Sequence, residues 1–256
     1  MQIITSNKNQ KVKIWKKLNT LKGRNEEGSY LIEGLHSVQE ALTYYAPLQS
    51  IICVRKDILS SLYHIPSGTP IYQVTEEIAQ HISKTNTPQG IFVETSIPNN
   101  SFSPNFIHNG KWLFLDRIQD PGNAGTLIRT ADGAGFSGVL LSKKSVNPFG
   151  PKVVRSMQGS QFHLKIIYDA NILQWIAALK NNDYDIYGTS LSKKDTVNYK
   201  KLVPKKSFVL VLGNESRGID KEILSETTSN LHINLKGKAE SLNVAIAGGI
   251  LMFSLI

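Results

Sequence analysis

Short apolar runs recur along the C-terminal half of the chain, and helix-forming segments separate several of them. Six runs are candidate strands: WLFLD (112–116), GVLL (138–141), HLKII (163–167), YDIYG (184–188), FVLVL (208–212) and LHINL (231–235). Nearly continuous apolar strands that alternate with helices are typical of a mostly parallel sheet covered by helices on both faces. The sequence therefore predicts an α/β fold for this half.

The N-terminal half shows a second, smaller alternation of strands and helices. Its strand candidates are SYLIEG, SIICV, PIYQV and GIFVE, and TEEIAQHIS is among the helical segments between them. Residues 97–110 have the Pro, Asn, Ser and Gly content of a linker and no periodicity. We therefore predict a small α/β domain at 1–96, a linker at 97–110 and a larger α/β domain at 111–256.

Composition excludes several classes of protein. The 256 residues are 41% hydrophobic and 19% charged, as in an ordinary globular protein. No stretch approaches the roughly 18 apolar residues of a membrane helix, and the N-terminus lacks the apolar segment of a signal peptide. We expect a cytoplasmic protein with no membrane partner and no metal. The single cysteine, Cys53, lies in an apolar run and is expected to be a buried structural thiol.

Positive charge is concentrated at the N-terminus. The chain carries a formal charge of +9, of which residues 1–24 contribute seven Lys or Arg and no acid. Residues 11–22 read as a basic amphipathic helix whose apolar side chains share one face: Ile14, Trp15, Leu18 and Leu21. Such a field attracts phosphate backbones, although a solvated basic arm without a partner is the alternative. Nucleic acid is the favoured partner.

Three loops with glycines follow predicted strands in the C-terminal half. The first follows Asp116 and leads through PGNAG into a helix expected to begin near Asn123, with Arg129 about two turns further on. Glycines there would let backbone N–H groups approach a ligand at the helix N-terminus. A structural turn with a surface arginine is the alternative. The spacing fits neither a Walker loop nor the GxGxxG fingerprint.

The second loop follows FVLVL and contains Gly213, Asn214, Glu215, Ser216, Arg217 and Gly218. Ligands of open α/β sheets bind outside the carboxyl ends of strands, so the position favours a small polar ligand. A left-handed turn would explain the glycines alone, but not the carboxylate and arginine beside them.

The third loop leads from LHINL through Glu240, Ser241 and Asn243 into a helix that is apolar nearly all round. Ser241 as a simple helix cap is the alternative. A helix apolar on every side is buried in a core or a subunit interface, and Gly248 and Gly249 would permit close helix approach. This favours a dimer.

Taken together, DPGNAGTLIRTA, LGNESRGI and INLKGKAESLNVAIAGGI resemble, in this order, the three motifs of the SpoU branch of the SPOUT RNA methyltransferases. SNKNQKVK, LKGRNEEGSYLIEG and TPQGIF look like the substrate-binding domain of these enzymes, so the resemblance covers most of the chain. One position departs from the family: Asn234 stands where the third motif usually has proline.

The resemblance implies a deep trefoil knot, a rare exception to the rule against knotted chains, and a homodimer formed through the C-terminal domain. It also implies that S-adenosylmethionine binds in the knot against the backbone of Gly213, Ile233 and Leu242. Further candidates for cofactor contact are Leu212, Thr189, Ser190, Leu235, Asn214 and Gly218.

The chemistry implied by the resemblance is methyl transfer from a sulfonium to a ribose 2′-hydroxyl. Arg129 would bind the acceptor hydroxyl and its phosphate, Asn123 and Glu215 would hold that guanidinium, and Ser241 and Asn243 would order the third loop. The arginine has been proposed as a general base in this family. Because a guanidinium stays protonated in proteins, we favour orientation of the acceptor and stabilisation of the developing alkoxide.

RNA capture is assigned to two sets of cations. The first lies in the basic N-terminal segment and comprises Lys11, Lys16, Lys22 and Arg24; the second comprises Lys152 and Arg155. Both sets would also fit merely solvated charges. Ribosomal RNA is favoured over transfer RNA because accessory substrate domains are commoner among the ribosomal RNA enzymes of the family. A transfer RNA methyltransferase and a non-catalytic RNA-binding protein of the same fold are the alternatives, whereas a small-molecule methyltransferase fits the basic segment poorly.

Overall fold

The computed structural model describes residues 1–100, 110–192 and 194–256. The chain divides into two compact units, 1–99 with 149–163 and 100–148 with 164–256. Most of the predicted linker, 101–109, lies outside the described residues. The division differs from the predicted domains at 149–163, which the sequence assigned to the C-terminal domain. This segment packs against the first unit, where the ring of Phe149 lies 4.8 Å from that of Tyr30.

The strands of the described residues are β1 Gln2–Ile4, β2 Ser29–Glu33, β3 Leu48–Cys53, β4 Ile71–Val74, β5 Ile91–Ser96, β6 Lys111–Leu115, β7 Gly138–Ser142, β8 Lys165–Ala170, β9 Asp185–Thr189, β10 Val197–Asn198, β11 Phe208–Leu212 and β12 Ser229–His232. The α-helices are α1 Gln10–Lys17, α2 Leu21–Glu27, α3 Leu35–Thr43, α4 Glu76–Ile82, α5 Pro121–Gly133, α6 Pro151–Met157, α7 Ile172–Lys180, α8 Lys221–Ser225 and α9 Val244–Ser254. Short 3-10 helices occupy Lys56–Ser61, Ser160–Phe162 and Tyr199–Lys201.

The first unit contains a mixed sheet in the order β1-β4-β3-β5-β2. The four strands predicted for this half are confirmed, and Cys53 is buried in the sheet as expected. The N-terminal helix differs from the prediction, because it ends at Lys17 and a second helix begins at Leu21. The break arises at Thr20, whose side chain accepts a hydrogen bond from the N–H of Gly23 at 3.0 Å and so caps α2. Leu21 is consequently exposed instead of joining the buried face.

Arg24 is buried, in contrast to the other basic residues of the N-terminal segment. It is 4% exposed, and its Nη1 donates to the carbonyl of Leu18 at 3.0 Å. Burial lowers the pKa of the Arg24 guanidinium. The structure therefore does not place Arg24 where RNA would reach it, and corrects the assignment of this residue to RNA capture.

A buried carboxylate organises the centre of the first unit. Glu94 is 3% exposed, and it accepts hydrogen bonds from Trp15 Nε1 at 3.0 Å, Ser50 Oγ at 3.0 Å and Ser29 Oγ at 3.2 Å. These donors come from α1, β3 and β2, so one side chain on β5 joins three elements. A buried charge needs such hydrogen bonds to offset the loss of its hydration.

We expect Glu94→Ala to lower the free energy of unfolding by about 3 kcal/mol, because it leaves three donors without an acceptor. Urea unfolding followed by tryptophan fluorescence measures this loss, since Trp15 is one of the donors. Glu26→Ala is the control, because Glu26 forms only exposed ion pairs and its loss should cost under about 1 kcal/mol. Equal unfolding midpoints for the two variants would contradict the structural role of Glu94.

The second unit contains a sheet whose strands run in the order β10-β12-β9-β11-β6-β7-β8, and every pairing between them is parallel. The predicted α/β fold with a mostly parallel sheet is confirmed. Strands β6, β11, β9 and β12 are neighbours, so the loops that follow them emerge at one edge of the sheet. Helix α5 follows the loop after β6, and helix α9 follows the loop after β12.

Helix α5 begins at Pro121, earlier than predicted. It begins there because Asp120 Oδ1 accepts from the N–H of Asn123 at 2.7 Å and so caps the helix.

The last helix, α9, is buried on one side only. A Cβ on Gly248 would lie 2.4 Å from Leu127 Cδ2 and 2.7 Å from Leu212 Cδ1, so the absence of a side chain lets α9 pack closely on α5 and β11. Ile246 and Phe253 on the other side are 58% and 55% exposed. The sequence predicts burial of this helix in a core or a subunit interface. Packing within the second unit buries the face that contains Gly248, and the face that contains Ile246 and Phe253 stays exposed.

Candidate functional site

A cavity of about 650 Å³ opens at the carboxyl ends of β9, β11 and β12 in the second unit. Residues 189–192, 212–219 and 233–244 supply most of its wall. All the residues assigned to cofactor contact line it: Thr189, Ser190, Leu212, Gly213, Asn214, Gly218, Ile233, Leu235 and Leu242. The loops that the sequence singled out after β11 and β12 therefore meet at one place.

The loop after β11 is tight because its residues bond to one another. The backbones of Asn214 and Gly218 exchange two hydrogen bonds, of 3.1 and 2.9 Å, and Asn214 Oδ1 accepts from the N–H groups of Ser216 and Arg217 at 3.1 Å. Gly213 precedes this turn, and a Cβ there would lie 2.2 Å from the backbone of Gly218 and Ile219. Only glycine fits at position 213, because the backbone of Gly218 and Ile219 occupies the space of a side chain.

A chain of three side chains joins the three sequence motifs. Asn123 Nδ2 donates to Glu215 Oε1 at 3.0 Å, and Asn243 Nδ2 donates to Asn123 Oδ1 at 3.0 Å. Asn243 Oδ1 also accepts from the N–H groups of Ala245 and Ile246, at 2.9 and 3.3 Å, and so caps α9. The cap is therefore Asn243 and not Ser241, which is exposed and lines the cavity.

Arg129 stands apart from this chain. It is exposed on α5, and in the part of the chain that the structure describes its side chain makes no hydrogen bond or ion pair. Asn123 and Glu215 bond each other and do not hold the Arg129 guanidinium, which corrects that part of the sequence-based assignment. The geometric reason is that Asn123 lies in the first turn of α5, whereas Arg129 lies six residues later and points in a different direction around the helix.

A second polar cluster lies at the end of β6 and was missed by sequence reasoning. Buried Asp116 accepts from Ser142 Oγ at 3.3 Å, from the N–H of Asp220 at 3.0 Å and from Arg117 Nη2 at 2.9 Å. The hydrogen bond to Asp116 raises the pKa of Arg117. The carbonyl of Arg117 accepts from Asn214 Nδ2 at 2.9 Å, which connects this cluster to the loop after β11. The sequence signal that could have indicated this cluster is Asp116 at the end of a predicted strand, followed directly by Arg117.

The cations assigned to RNA capture differ in their surroundings. Lys11 lies 5.9 Å from the ring centre of Tyr72, Lys16 Nζ donates to the carbonyl of His81, and Lys22 lies 3.7 Å from Glu26. The second set, Lys152 and Arg155, is exposed on α6 and belongs to the first unit.

Two absences concern the described residues only. In 1–100, 110–192 and 194–256, no group of three or more His, Cys, Asp or Glu is arranged to hold a metal ion. Within the same residues, no helix has the length and apolarity needed to cross a membrane.

Comparison with solved structures identifies close neighbours of the whole fold. The chain superposes on the AdoMet-bound rRNA methyltransferase from Sinorhizobium meliloti with a TM-score of 0.88 at 30% identity, over 99% of this chain and 96% of that one. A TrmH-family putative RNA methyltransferase from Porphyromonas gingivalis gives a TM-score of 0.85 at 30% identity, over 95% of each chain.

Sequence comparison also gives an RNA methyltransferase as a relative. The chain is 38% identical to the 23S rRNA (guanosine(2553)-2′-O)-methyltransferase RlmP of Bacillus subtilis, over 100% of this chain and 99% of that protein. Residues 9–93 match the MRM3-like substrate binding domain. Residues 111–253, which contain the cavity and the side chains around it, match the SpoU rRNA Methylase family. The chain belongs to the SpoU rRNA Methylase family.

Proposed function

We propose that the protein transfers a methyl group from S-adenosylmethionine to a ribose 2′-hydroxyl of 23S ribosomal RNA. The observation that carries the proposal is the convergence of the three motifs, through Asn123, Glu215 and Asn243, beside one large cavity. The full-length likeness to RlmP supports ribosomal RNA over transfer RNA. We propose a cytoplasmic location, which is where a bacterial ribosomal RNA such as that of RlmP is found.

The cavity fits S-adenosylmethionine in size and chemistry. Leucine and isoleucine side chains offer an apolar wall suited to an adenine ring: Leu212, Leu231, Ile233, Leu235 and Leu242. Ser190 and Glu240 bring polar groups to the same wall, and Gly213 leaves its backbone uncovered. The bound cofactor supplies an electrophilic methyl group on a sulfonium.

The polar side chains beside the cavity and Arg129 on α5 have separate roles in binding and orienting the RNA. The Glu215–Asn123–Asn243 chain fixes the start of α5 and α9 against the loop after β11. This arrangement would help to hold the acceptor in line with the methyl group. Arg129 is free to bind the RNA phosphate and the acceptor hydroxyl. Its permanent charge stabilises the developing alkoxide, and the proton leaves to phosphate or water.

We also propose that the chain forms a homodimer through the exposed face of α9. Ile246, Phe253 and the half-buried Ile250 make an apolar stripe on this face, and such stripes mark interfaces. α5 lies beside it, since a Cβ on Gly133 would be 3.9 Å from the ring of Phe253. Arg129 lies one turn before Gly133, so the dimer would bring it towards the partner subunit.

Phe253→Glu should convert the dimer to a monomer, because the interface loses about 2 kcal/mol of apolar burial per protomer and gains an unpaired charge. Light scattering coupled to size exclusion measures the mass. Tyr63→Glu, which replaces an exposed aromatic of the first unit, is the control and should leave the mass unchanged. A Phe253→Glu protein that keeps the dimer mass would remove α9 from the interface.

The trefoil knot is part of the proposal. Residues 233–243, which follow β12, line the same cavity as 189–192 and 213–218, so the C-terminal segment lies against loops that precede it in the chain. Family membership supports threading of this segment through those loops.

Calorimetry with S-adenosylmethionine, followed by tritiated-methyl transfer to total ribosomal and transfer RNA, tests the function. We expect cofactor binding and label in large-subunit ribosomal RNA. Label in transfer RNA alone would favour the transfer RNA alternative. Cofactor binding without label in any RNA would instead favour a non-catalytic RNA-binding protein of the same fold.

A further inference from the structure

A second cavity, of about 190 Å³, lies in the first unit and shares no lining residue with the first cavity. The start of α3, residues 83–85 of the loop after α4, and α6 line it. All of its lining residues belong to 1–99 and 149–163, so it is a feature of the first unit alone. Methyl transfer, as derived above, does not use it.

The first turn of α3 offers free backbone donors to this cavity. Gly34 precedes the helix with φ of 100° and provides no side-chain cap. The N–H of Leu35 donates to Gln89 Oε1 at 2.9 Å, whereas the N–H groups of His36 and Ser37 have no acceptor in the described residues. Free N–H groups at a helix N-terminus attract anions.

Ser37 supplies an independent indication of a ligand. The residue is 5% exposed and lines the cavity, yet its hydroxyl has no hydrogen-bond partner in the part of the chain that the structure describes. A serine hydroxyl donates one hydrogen bond and accepts others, so the Ser37 hydroxyl is open to a molecule in the cavity. A ligand in the cavity would supply a hydrogen-bond partner.

The charges around the cavity match a nucleotide. Lys84 and Arg155 are exposed members of its lining and form no ion pair within the described residues. The acidic member, Glu33, accepts from Ser83 Oγ and Thr85 Oγ1 at 2.7 Å each. A carboxylate has about four acceptor positions, so Glu33 can still accept from a ribose hydroxyl or a base amino group. The cations and the helix terminus suit a phosphate, and Glu33 suits the nucleoside.

We propose that this cavity seats one nucleotide of the RNA substrate, distinct from the nucleotide that is methylated. Its phosphate would bind the first turn of α3 and the side chains of Ser37, Lys84 and Arg155, and its nucleoside would face Glu33. The proposal rests on the RNA methyltransferase function. It assigns to the first unit an anchoring contact with a single nucleotide, in addition to the general attraction of its basic surface.

Three variants separate this contact from general electrostatics. Ser37→Ala removes the hydroxyl and keeps the charge, Lys84→Glu with Arg155→Glu reverses the two cations, and Lys56→Glu reverses an exposed lysine outside the cavity. Binding of a labelled 23S ribosomal RNA fragment is measured at several salt concentrations, with thermal unfolding as the control for folding.

We expect the double variant to weaken RNA binding at least about tenfold and to lower the salt slope by about one for each lost phosphate contact. Ser37→Ala should weaken binding several-fold with an unchanged slope, and Lys56→Glu should weaken it least. The single-turnover rate of Lys56→Glu at saturating RNA should stay at the wild-type value, because Lys56 lines neither cavity.

RNA affinity of Ser37→Ala equal to that of the wild type, or a double variant no weaker than Lys56→Glu, would overturn the proposal. Guanosine monophosphate that binds the wild type in a Ser37-dependent way, without competing with RNA, would assign the cavity to a free nucleotide and also overturn it. Failure of the wild type to methylate RNA is a separate outcome, which would reject the proposed function.

Discussion

Arg129→Ala should reduce the single-turnover rate of methyl transfer by about 10²–10³-fold, the usual cost of removing one preorganised donor from a developing oxyanion. The expected loss is in the rate and not in cofactor affinity, because Arg129 does not line the cofactor cavity. Arg129→Lys should recover only part of the rate, since an ammonium keeps the charge but loses the paired donors of the guanidinium. Rapid-quench measurement with saturating RNA and cofactor gives these rates.

Arg55→Ala is the matched control for this prediction. Arg55 is an exposed arginine of the first unit whose ion pair with Asp57 spans 3.6 Å, and its loss should leave the single-turnover rate unchanged. An Arg129→Ala protein that methylates bound RNA as fast as Arg55→Ala would show that Arg129 does not act on the acceptor.

Gly213→Ala should weaken S-adenosylmethionine binding at least about tenfold, which corresponds to about 1.4 kcal/mol. The added Cβ would lie 2.2 Å from the backbone of Gly218 and Ile219, so the loop after β11 has to move and the cavity wall changes. Calorimetry measures the affinity, and thermal unfolding without cofactor shows whether the fold survives.

Gly237→Ala is the control in the same cavity. Gly237 lines it, but a Cβ there meets nothing within 4 Å, so affinity should stay close to that of the wild type. If a folded Gly213→Ala protein binds the cofactor as tightly as Gly237→Ala does, the loop after β11 does not form the cofactor site.

Local pattern was enough to predict much of the second unit. The strand Phe208–Leu212 has the predicted bounds, because five consecutive apolar residues between polar ones define a buried strand. The strand that forms β12 is displaced by two to three residues, since its apolar run continues as Ile233 and Leu235 into the wall of the cavity. Some apolar side chains of this run belong to the strand and others line the cavity, and periodicity does not distinguish the two.

Contacts between distant residues were beyond the reach of sequence pattern. The hydrogen bonds from Asn123 to Glu215 and from Asn243 to Asn123 join residues 92 and 120 positions apart, so no local signal predicts them. Arg24 was grouped with the surface lysines because composition does not show burial. Sequence pattern also gave no sign that segment 149–163 groups with the first unit, since this depends on packing such as that between Phe149 and Tyr30.

Mapping of 2′-O-methyl sites tests whether the protein methylates a ribose of 23S ribosomal RNA with S-adenosylmethionine as the donor. Ribosomal RNA from cells that lack the gene is incubated with purified protein and cofactor, and 2′-O-methyl groups are mapped at single-nucleotide resolution. We predict one 23S ribose that is unmethylated in the deletion strain, becomes methylated by the wild type and stays unmethylated with Arg129→Ala. Identical 2′-O-methyl maps with and without the gene, and no methylation by the purified protein, would contradict the claim.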